Sequence, residues 1–491
     1  MSHGPSLLDE TRALLQSAVK VYAGTDQAPG LQSVLDRLDD PLRVAIAGRV
    51  KAGKSTLLNA LVGEALAPTD AGECTKIVTW YRDGVTYQVL LEPHDGEPRQ
   101  VPFVRDAGAI EVELGSTTAD QVDRLVVDWP SSSLKQMMLI DTPGIGSLSA
   151  DVSARTHAFL APDDDRVTAA DAVLYLMKHL HNTDMDFLAT FHDEDVAQAT
   201  PVNAIAVLSR ADEVAAGRID AMESANKIAA RYRSDPKVRR LVQSVVPVAG
   251  LLAVTGETLR EAEYAALAKL AAAEEPSVEK LLVSCDRFVN SPTTALTSME
   301  REALLDRLGL FGIRLATGMI RDGSAPTSGK LSAALVEHSG LDGLRRALLS
   351  QFAERRDVLK ARSGLLAVEG VARARPTAGS DTLMNEVERI TAGAHEFQEV
   401  RLLNALRSGA VAVKPEDLEV MECLLGTTGA APAARLGLDA GASDDDIRRA
   451  TQEALARWQR RAESPMASRE VADAARVLVR TCEGILATRA G

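Results

Sequence analysis

Short apolar runs alternate with helix-spaced stretches up to about residue 250, and beyond it almost every segment has helical spacing. Residues 6–23 place Leu8, Leu15, Val19 and Tyr22 on one stripe, with Asp9, Glu10, Arg12 and Lys20 off it, which predicts an amphipathic helix. Gly24 to Gly30 is a break, 31–39 reads as a second short helix, and Pro41 opens the apolar run Arg43–Ala47. Further strand-like runs lie at 77–81, 87–91, 124–128, 137–141, 172–176, 204–208 and 244–250. Buried apolar runs separated by helical stretches predict an α/β domain with a mainly parallel sheet and helices on both faces. In such sheets ligands bind at the carboxyl ends of the strands.

The segment 339–362 carries the stripe Leu341, Leu344, Leu348, Phe352 and Leu359, and predicts one long rod running outward from the sheet. Pro376 with Gly379 marks a turn, and helices follow at about 382–407, 415–425, 444–463 and 467–489. Ser443 and Asp446 make a capping box for the 444–463 helix. Gly426–Ala442, rich in Gly and Ala, reads as a linker. The expected organisation is N-terminal helices at 1–37 packing on a C-terminal bundle, an α/β domain at 38–352 with a helical insertion at about 251–330, and the helical bundle at 353–491.

Composition narrows the functions. Hydrophobic residues make up 46% of the 491, enough for sizeable cores. A net charge of -14 argues against a nucleic-acid-binding surface and against passive adsorption to anionic lipid. The four cysteines lie far apart with no CxxC pair, which fits a cytoplasmic protein without disulfides or structural zinc. No run of 18 apolar residues occurs, so membrane contact is expected to be peripheral, at the inner face of the plasma membrane.

The chemistry concentrates in Gly48-Arg49-Val50-Lys51-Ala52-Gly53-Lys54-Ser55, set between an apolar strand and a helix that begins at Thr56. That context is what a phosphate-binding loop requires. Backbone N–H groups of the turn and the helix N-terminus face the phosphates. Lys54 reaches the β- and γ-phosphates, and the Ser55 hydroxyl ligates Mg²⁺. The run 137–144 ends in Asp141-Thr142-Pro143-Gly144, where Asp141 holds the metal's water shell and Gly144 lets an N–H approach the γ-phosphate. The order of Gly48…Ser55, Thr75, Asp141…Gly144, Ser209…Asp212 and Val248-Ala249-Gly250 selects GTP over ATP. Asp212 accepts from guanine N1–H and the 2-amino group, a pair that adenine lacks. Arg210 offers a guanidinium plane to the base. Elsewhere, His179, His181 and His192 with nearby Asp residues have metal-ligand chemistry, but their position at a strand exit favours solvated histidines. Leu308–Ile313 is apolar and Gly-punctuated, and its short length favours buried core over a membrane-wedging loop. Ser408–Val413 and Gly426–Ala442 are alternative tip loops, without the aromatic or basic signature of lipid contact.

The runs GRVKAGKSTLLNALVG, APTDAGECTKIVTW, DTPG and SRAD resemble the G domain of bacterial dynamin-like proteins. Within them, Arg43–Gly48, Ser209–Glu213, Phe311-Gly312-Ile313-Arg314, Ser339-Gly340-Leu341 and Ala433–Asp439 resemble the shorter members of the actinobacterial isoniazid-inducible group. The resemblance spans nearly the whole chain and implies a dynamin-like GTPase with GTP/GDP and Mg²⁺ as ligands. It implies G domains that pair across their nucleotide faces and a helical neck that moves on hydrolysis to remodel membrane. A longer paralogue is the other expected partner. It also implies that Thr75 is the switch threonine holding Mg²⁺ and the attacking water. Eukaryotic dynamins place Gln and then Ser at the third and fourth loop positions, where this chain has Val50 and Lys51. Val50 cannot orient water, so slow basal turnover is expected. Lys51 puts an ammonium where a charge-compensating cation sits in those enzymes, which makes it a candidate catalytic group. Two other readings stand beside this one: a monomeric regulatory switch, and a low-activity nucleotide-binding partner of a longer paralogue.

Overall fold

The structure is a computed structural model that describes residues 6–68, 77–106, 109–143, 170–181, 184–186, 188, 203–292 and 295–487. Two helices open the chain, α1 (Leu7–Val21) and α2 (Ala28–Asp36). Of the stripe predicted for α1, Leu15 and Tyr22 are buried and Leu8 and Val19 partly so, while Leu14 and Ala18 are buried beside them; Ser6 and Asp9 cap the first turn reciprocally.

The strands are β1 (Leu42–Gly48), β2 (Val78–Asp83), β3 (Gln88–Pro93), β4 (Arg99–Val101), β5 (Phe103–Asp106), β6 (Ala109–Val112), β7 (Val122–Trp129), β8 (Met137–Asp141), β9 (Ala172–Met177), β10 (Ala204–Ser209) and β11 (Val245–Val248). Among the described residues nine of them form one sheet, in the order β11-β10-β9-β1-β8-β2-β7-β3-β4. The half from β11 to β8 is parallel, and β2 then pairs antiparallel with β8. β2 and β7 are parallel, whereas β3 is antiparallel to both β7 and β4. Side chains of β1 alternate between two apolar layers, Val44 and Ile46 on one face and Ala45 and Ala47 on the other. Helices α3 (Lys54–Val62), α6 (Gly250–Glu257) and α12 (Leu341–Gln351) fill the first layer, and α4 (Ala221–Ser234) fills the second; the short α5 (Pro236–Arg239) follows α4.

The insertion contains α7 (Glu261–Ala271), α8 (Glu275–Leu281), α9 (Cys285–Asn290), α10 (Ser298–Arg321) and α11 (Ser328–His338) around its own core. Leu308–Ile313 lies within α10, where Leu308, Phe311 and Ile313 are buried, in agreement with the core expectation. The helix is kinked at Gly309, whose φ of 63° and ψ of 176° suit glycine alone.

The expected long rod is not continuous. α12 ends at Gln351, residues 353–355 form one 3₁₀ turn, and α13 (Arg356–Ala374) starts anew. Distant backbone holds the break open: Arg355 Nη2 donates to the carbonyls of Leu425 (2.9 Å) and Gly426, and the Gln351 amide donates to Thr427 O. Glu354 Oε2 in turn accepts from the N–H groups of Ala430 (2.8 Å) and Ala431 (3.2 Å). The segment 426–442, expected as a linker, is therefore a clasp on this joint. The expected helix at 382–407 is two, α14 (Ser380–Gly393) and α15 (His395–Ser408), separated by an extended Ala394. The rest of the bundle is α16 (Pro415–Leu424), α17 (Pro432–Arg435), α18 (Asp444–Ala462) and α19 (Arg469–Ala487).

Two apolar clusters serve the helical part. In one, Leu14, Leu15, Leu31 and Val34 of the N-terminal helices meet Leu365, Val368, Leu383 and Val387 of α13 and α14; the other lies within residues 402–485. Helix α13 is tied to the sheet through buried Asp171, just before β9. Its carboxylate accepts from Lys360 Nζ (2.9 Å), Ser363 Oγ (3.1 Å) and the backbone N–H of Arg43 (3.0 Å).

Candidate functional site

Strand β1 runs into the loop because its last residue is glycine. A Cβ on Gly48, at φ +147°, would lie 2.5 Å from Leu176 O of β9, so no side chain fits. The next four residues form a tight turn closed by Ala52 N–H donating to Arg49 O (3.1 Å), with Lys51 in the left-handed region at φ 62°. Gly53 is left-handed as well (φ 92°) and leads directly into α3, whose first residue is Lys54. Lys54 Nζ donates to Gly48 O (3.3 Å) and Arg49 O (3.4 Å), folding its ammonium back over the loop. Burial pulls the Lys54 pKa down, and the Asp141 carboxylate opposes that shift.

The end of β8 aligns with the end of β1, Ile46 facing Asp141 in the parallel ladder. Ser55 Oγ donates to Asp141 Oδ2 at 2.8 Å, while buried Asp141 Oδ1 has no hydrogen-bond partner. Burial pushes the Asp141 pKa up against the pull of Lys54 and Ser55. A hydroxyl beside a carboxylate with one oxygen left over is an oxygen-donor set that fits a hard divalent cation such as Mg²⁺. Thr142 Oγ1 donates to Ile46 O (2.9 Å) and anchors the turn after β8. Thr75, Gly144 and His192 lie outside the described residues. No group of three potential metal ligands occurs among the described residues, His179 and His181 included.

The other end of the cleft is an open pocket with about 530 Å³ of empty volume, lined by Ala52, Gly53 and Thr56 on the loop side. Leu176, Val207, Ser209, Arg210, Asp212 and Glu213 face them, with Val248, Gly250 and Leu251 completing the wall. Asp212 sits in a 3₁₀ segment (Ala211–Gly217) and is 7% exposed. Burial raises its pKa to about 6, so the carboxylate that would read guanine is held part-way to protonation. Arg210 is left-handed (φ 53°) and its fork is already engaged at the pocket edge. Nη1 donates to Glu213 Oε1 (2.7 Å) and Nη2 to Lys51 O (3.0 Å), joining the base end of the cleft to the phosphate loop.

Ala249 does not take its expected place. It is fully buried among insertion residues and its N–H donates to Ser339 O (2.9 Å), so its neighbours Val248 and Gly250 line the pocket instead. The cause is packing: Ala249 is the turn between β11 and α6, and a Cβ on Gly250 would already be 3.3 Å from Thr56 Cγ2. Reasoning from sequence missed Leu176, Val207, Glu213 and Leu251. The signal was there for Leu176, which is next to last in an apolar strand expected to end at the cleft.

A family model described as the dynamin family matches residues 44–206. The isoniazid-induced protein IniC of Mycobacterium tuberculosis is 38% identical over 491 residues, covering 98% of this chain and 99% of that protein. A bacterial dynamin-like protein of Nostoc punctiforme is 33% identical over 148 residues, 28% of this chain and 20% of its own length. The isoniazid-induced protein IniA of Mycobacterium tuberculosis is 30% identical over 171 residues, 34% of this chain and 26% of that one.

Proposed function

The chain belongs to the dynamin-like family of the isoniazid-induced protein IniC, and from that membership we propose that it is a slow, Mg²⁺-dependent GTPase that pairs through its G domain and moves a helical neck to remodel membrane. One observation carries the reading: the Ser55–Asp141 pair with its spare carboxylate oxygen, set between the first turn of α3 and the end of β8 beside the loop 48–53. Ser55, Asp141 and Thr75 would hold Mg²⁺, which would supply charge neutralisation at the β- and γ-phosphates. Lys54 and the amides around Gly53 orient the phosphates, and Asp212 reads guanine. In this reading 38–352 is the G domain with its insertion at about 251–330, and 1–37 together with 353–491 forms the neck.

Lys51 is exposed, and its backbone is held by Arg210. We assign its ammonium the part of an internal cation on the charge that develops between the β- and γ-phosphates. Turnover by Lys51→Ala that equals the parent's in potassium and in sodium would remove that assignment. No helix among the described residues is long and apolar enough to cross a membrane, and contact with lipid is therefore proposed as peripheral, on the cytoplasmic side.

Val50 supports a second reading. It is 47% exposed, and its apolar side chain can position no water. A chain built that way serves as the low-activity, nucleotide-binding partner of a longer paralogue. GTP turnover per molecule, measured across a wide range of protein concentration, separates the readings. A specific activity that rises with concentration and saturates supports the dimerising GTPase. A flat, measurable rate favours a self-contained switch, and tight GTP binding without turnover favours the partner role.

A further inference from the structure

Helix α10 of the insertion packs against the segment 211–217 that carries Asp212, and Gly309, Phe311 and Arg314 are among the residues that approach it. The kink at Gly309 is what brings it there. A Cβ on that residue would lie in ordinary van der Waals contact with Asp212 Oδ2, at 3.6 Å, so the kink brings the backbone of α10 up to this carboxylate. Gly312 lets the helix close on α6, since a Cβ there would meet Leu252 Cδ1 at 2.9 Å.

The 3₁₀ segment that carries Asp212 ends in two consecutive left-handed residues, Ala216 (φ 58°) and Gly217 (φ 69°). A non-glycine residue in that region is strained and persists where its surroundings over-determine it. Arg314 does so here. Its Nη1 donates to Gly217 O and its Nη2 to Leu282 O (3.0 Å), while Nε reaches both oxygens of Glu279 (3.3 Å). One guanidinium thus fixes the far end of the segment to the insertion, while Arg210 holds its near end to the phosphate loop.

We infer that Arg314 is a positioning residue for guanine recognition, aiming Asp212 by pinning the strained end of the segment 211–217 to the insertion. This rests on the reading of the cleft as a GTP site. The insertion then supports the segment that carries Asp212 from behind, as well as packing around its own core.

Inosine triphosphate makes the test specific, because it keeps N1–H but lacks the 2-amino group and so makes one of guanine's two bonds to Asp212. Binding of GTP, ITP and ATP, each with Mg²⁺, is measured by calorimetry on the parent, Arg314→Ala and Arg314→Lys in the full chain. Arg314→Ala is expected to lower GTP affinity about tenfold or more, the loss of one charge-assisted hydrogen bond. ITP should fall less and ATP should not change, so the GTP-to-ITP ratio shrinks towards one. Arg314→Lys, which keeps the charge and one donor to Gly217 O, should hold an intermediate ratio. A ratio that stays at the parent's value in both variants overturns the inference, and so does an equal loss across all three nucleotides. Should Arg314→Ala fail to fold, Arg314→Lys alone decides by its ratio. A parent that binds GTP no better than ATP overturns the GTP reading itself, and this inference with it.

Discussion

The two ends of the cleft are made in different ways. The phosphate end comes from one short stretch, Gly48 to Thr56, plus Asp141 of β8, and among the described residues Lys54, Ser55 and Asp141 meet there. The base end is lined by the ends of β9, β10 and β11 and by a strained 3₁₀ segment, against which a helix of the insertion some hundred residues further on is packed. Local construction makes the first end robust to changes elsewhere. Long-range construction makes the second sensitive to packing that never touches nucleotide.

Lys54→Ala should strike hardest. The ammonium is folded back over the loop, and losing it should cut turnover by on the order of 10²–10³-fold. GTP should then raise the melting temperature far less than it raises the parent's, and a variant with turnover within threefold of the parent would mean that the loop amides suffice alone. Asp212→Asn should have a smaller and more selective effect. GTP affinity should fall about 10- to 100-fold, the range for a hydrogen bond to a charged group. Xanthosine triphosphate should gain affinity, because the Asn amide can donate to its 2-oxo group. If GTP and ATP were affected equally, Asp212 would be shaping the fold and not reading the base.

The mildest test is pH. Asp212 titrates at about 6 in the folded protein, raised by burial from the ordinary carboxylate range. Guanine needs the ionised form, which dominates above that value and is lost as the pH falls through it. GTP affinity should be flat above pH 7 and drop by up to tenfold per unit below about 6, whereas the triphosphate contribution shared with ATP should not follow that curve. The same profile for both nucleotides would erase the difference drawn between the two ends.

That difference also explains what could be read from the chain. Strand β1, the loop and α3 are contiguous, so their pattern and glycine spacing place the strand, turn and helix, and the apolar runs before Asp141 and Asp212 place those two residues beside the cleft. The helix at 444–462 was announced by Ser443, whose Oγ accepts from the Asp446 N–H at 3.2 Å. Strands β4 to β6 were not foreseen, because each has only three or four residues and carries charge, as in Arg99-Gln100-Val101. Ala249 was misplaced because its N–H is taken by Ser339, a partner that becomes visible only once α11 is folded beside it. Arg314 stood out as a motif residue with no task attached, since its acceptor is a carbonyl 97 residues earlier in the chain.

The joint at 352–355 has a history as well as a shape. Its stripe of leucines favours one uninterrupted helix, and the groups that break it, the carbonyls and amides of 425–431, are translated about seventy residues later. At about 5–20 residues per second, roughly 4 to 14 seconds pass between synthesis of Arg355 and of its acceptors. For that interval only the ties of α13 to the sheet and to the segment before β1 oppose the straight form. The bend is therefore completed on the arrival of the C-terminal bundle.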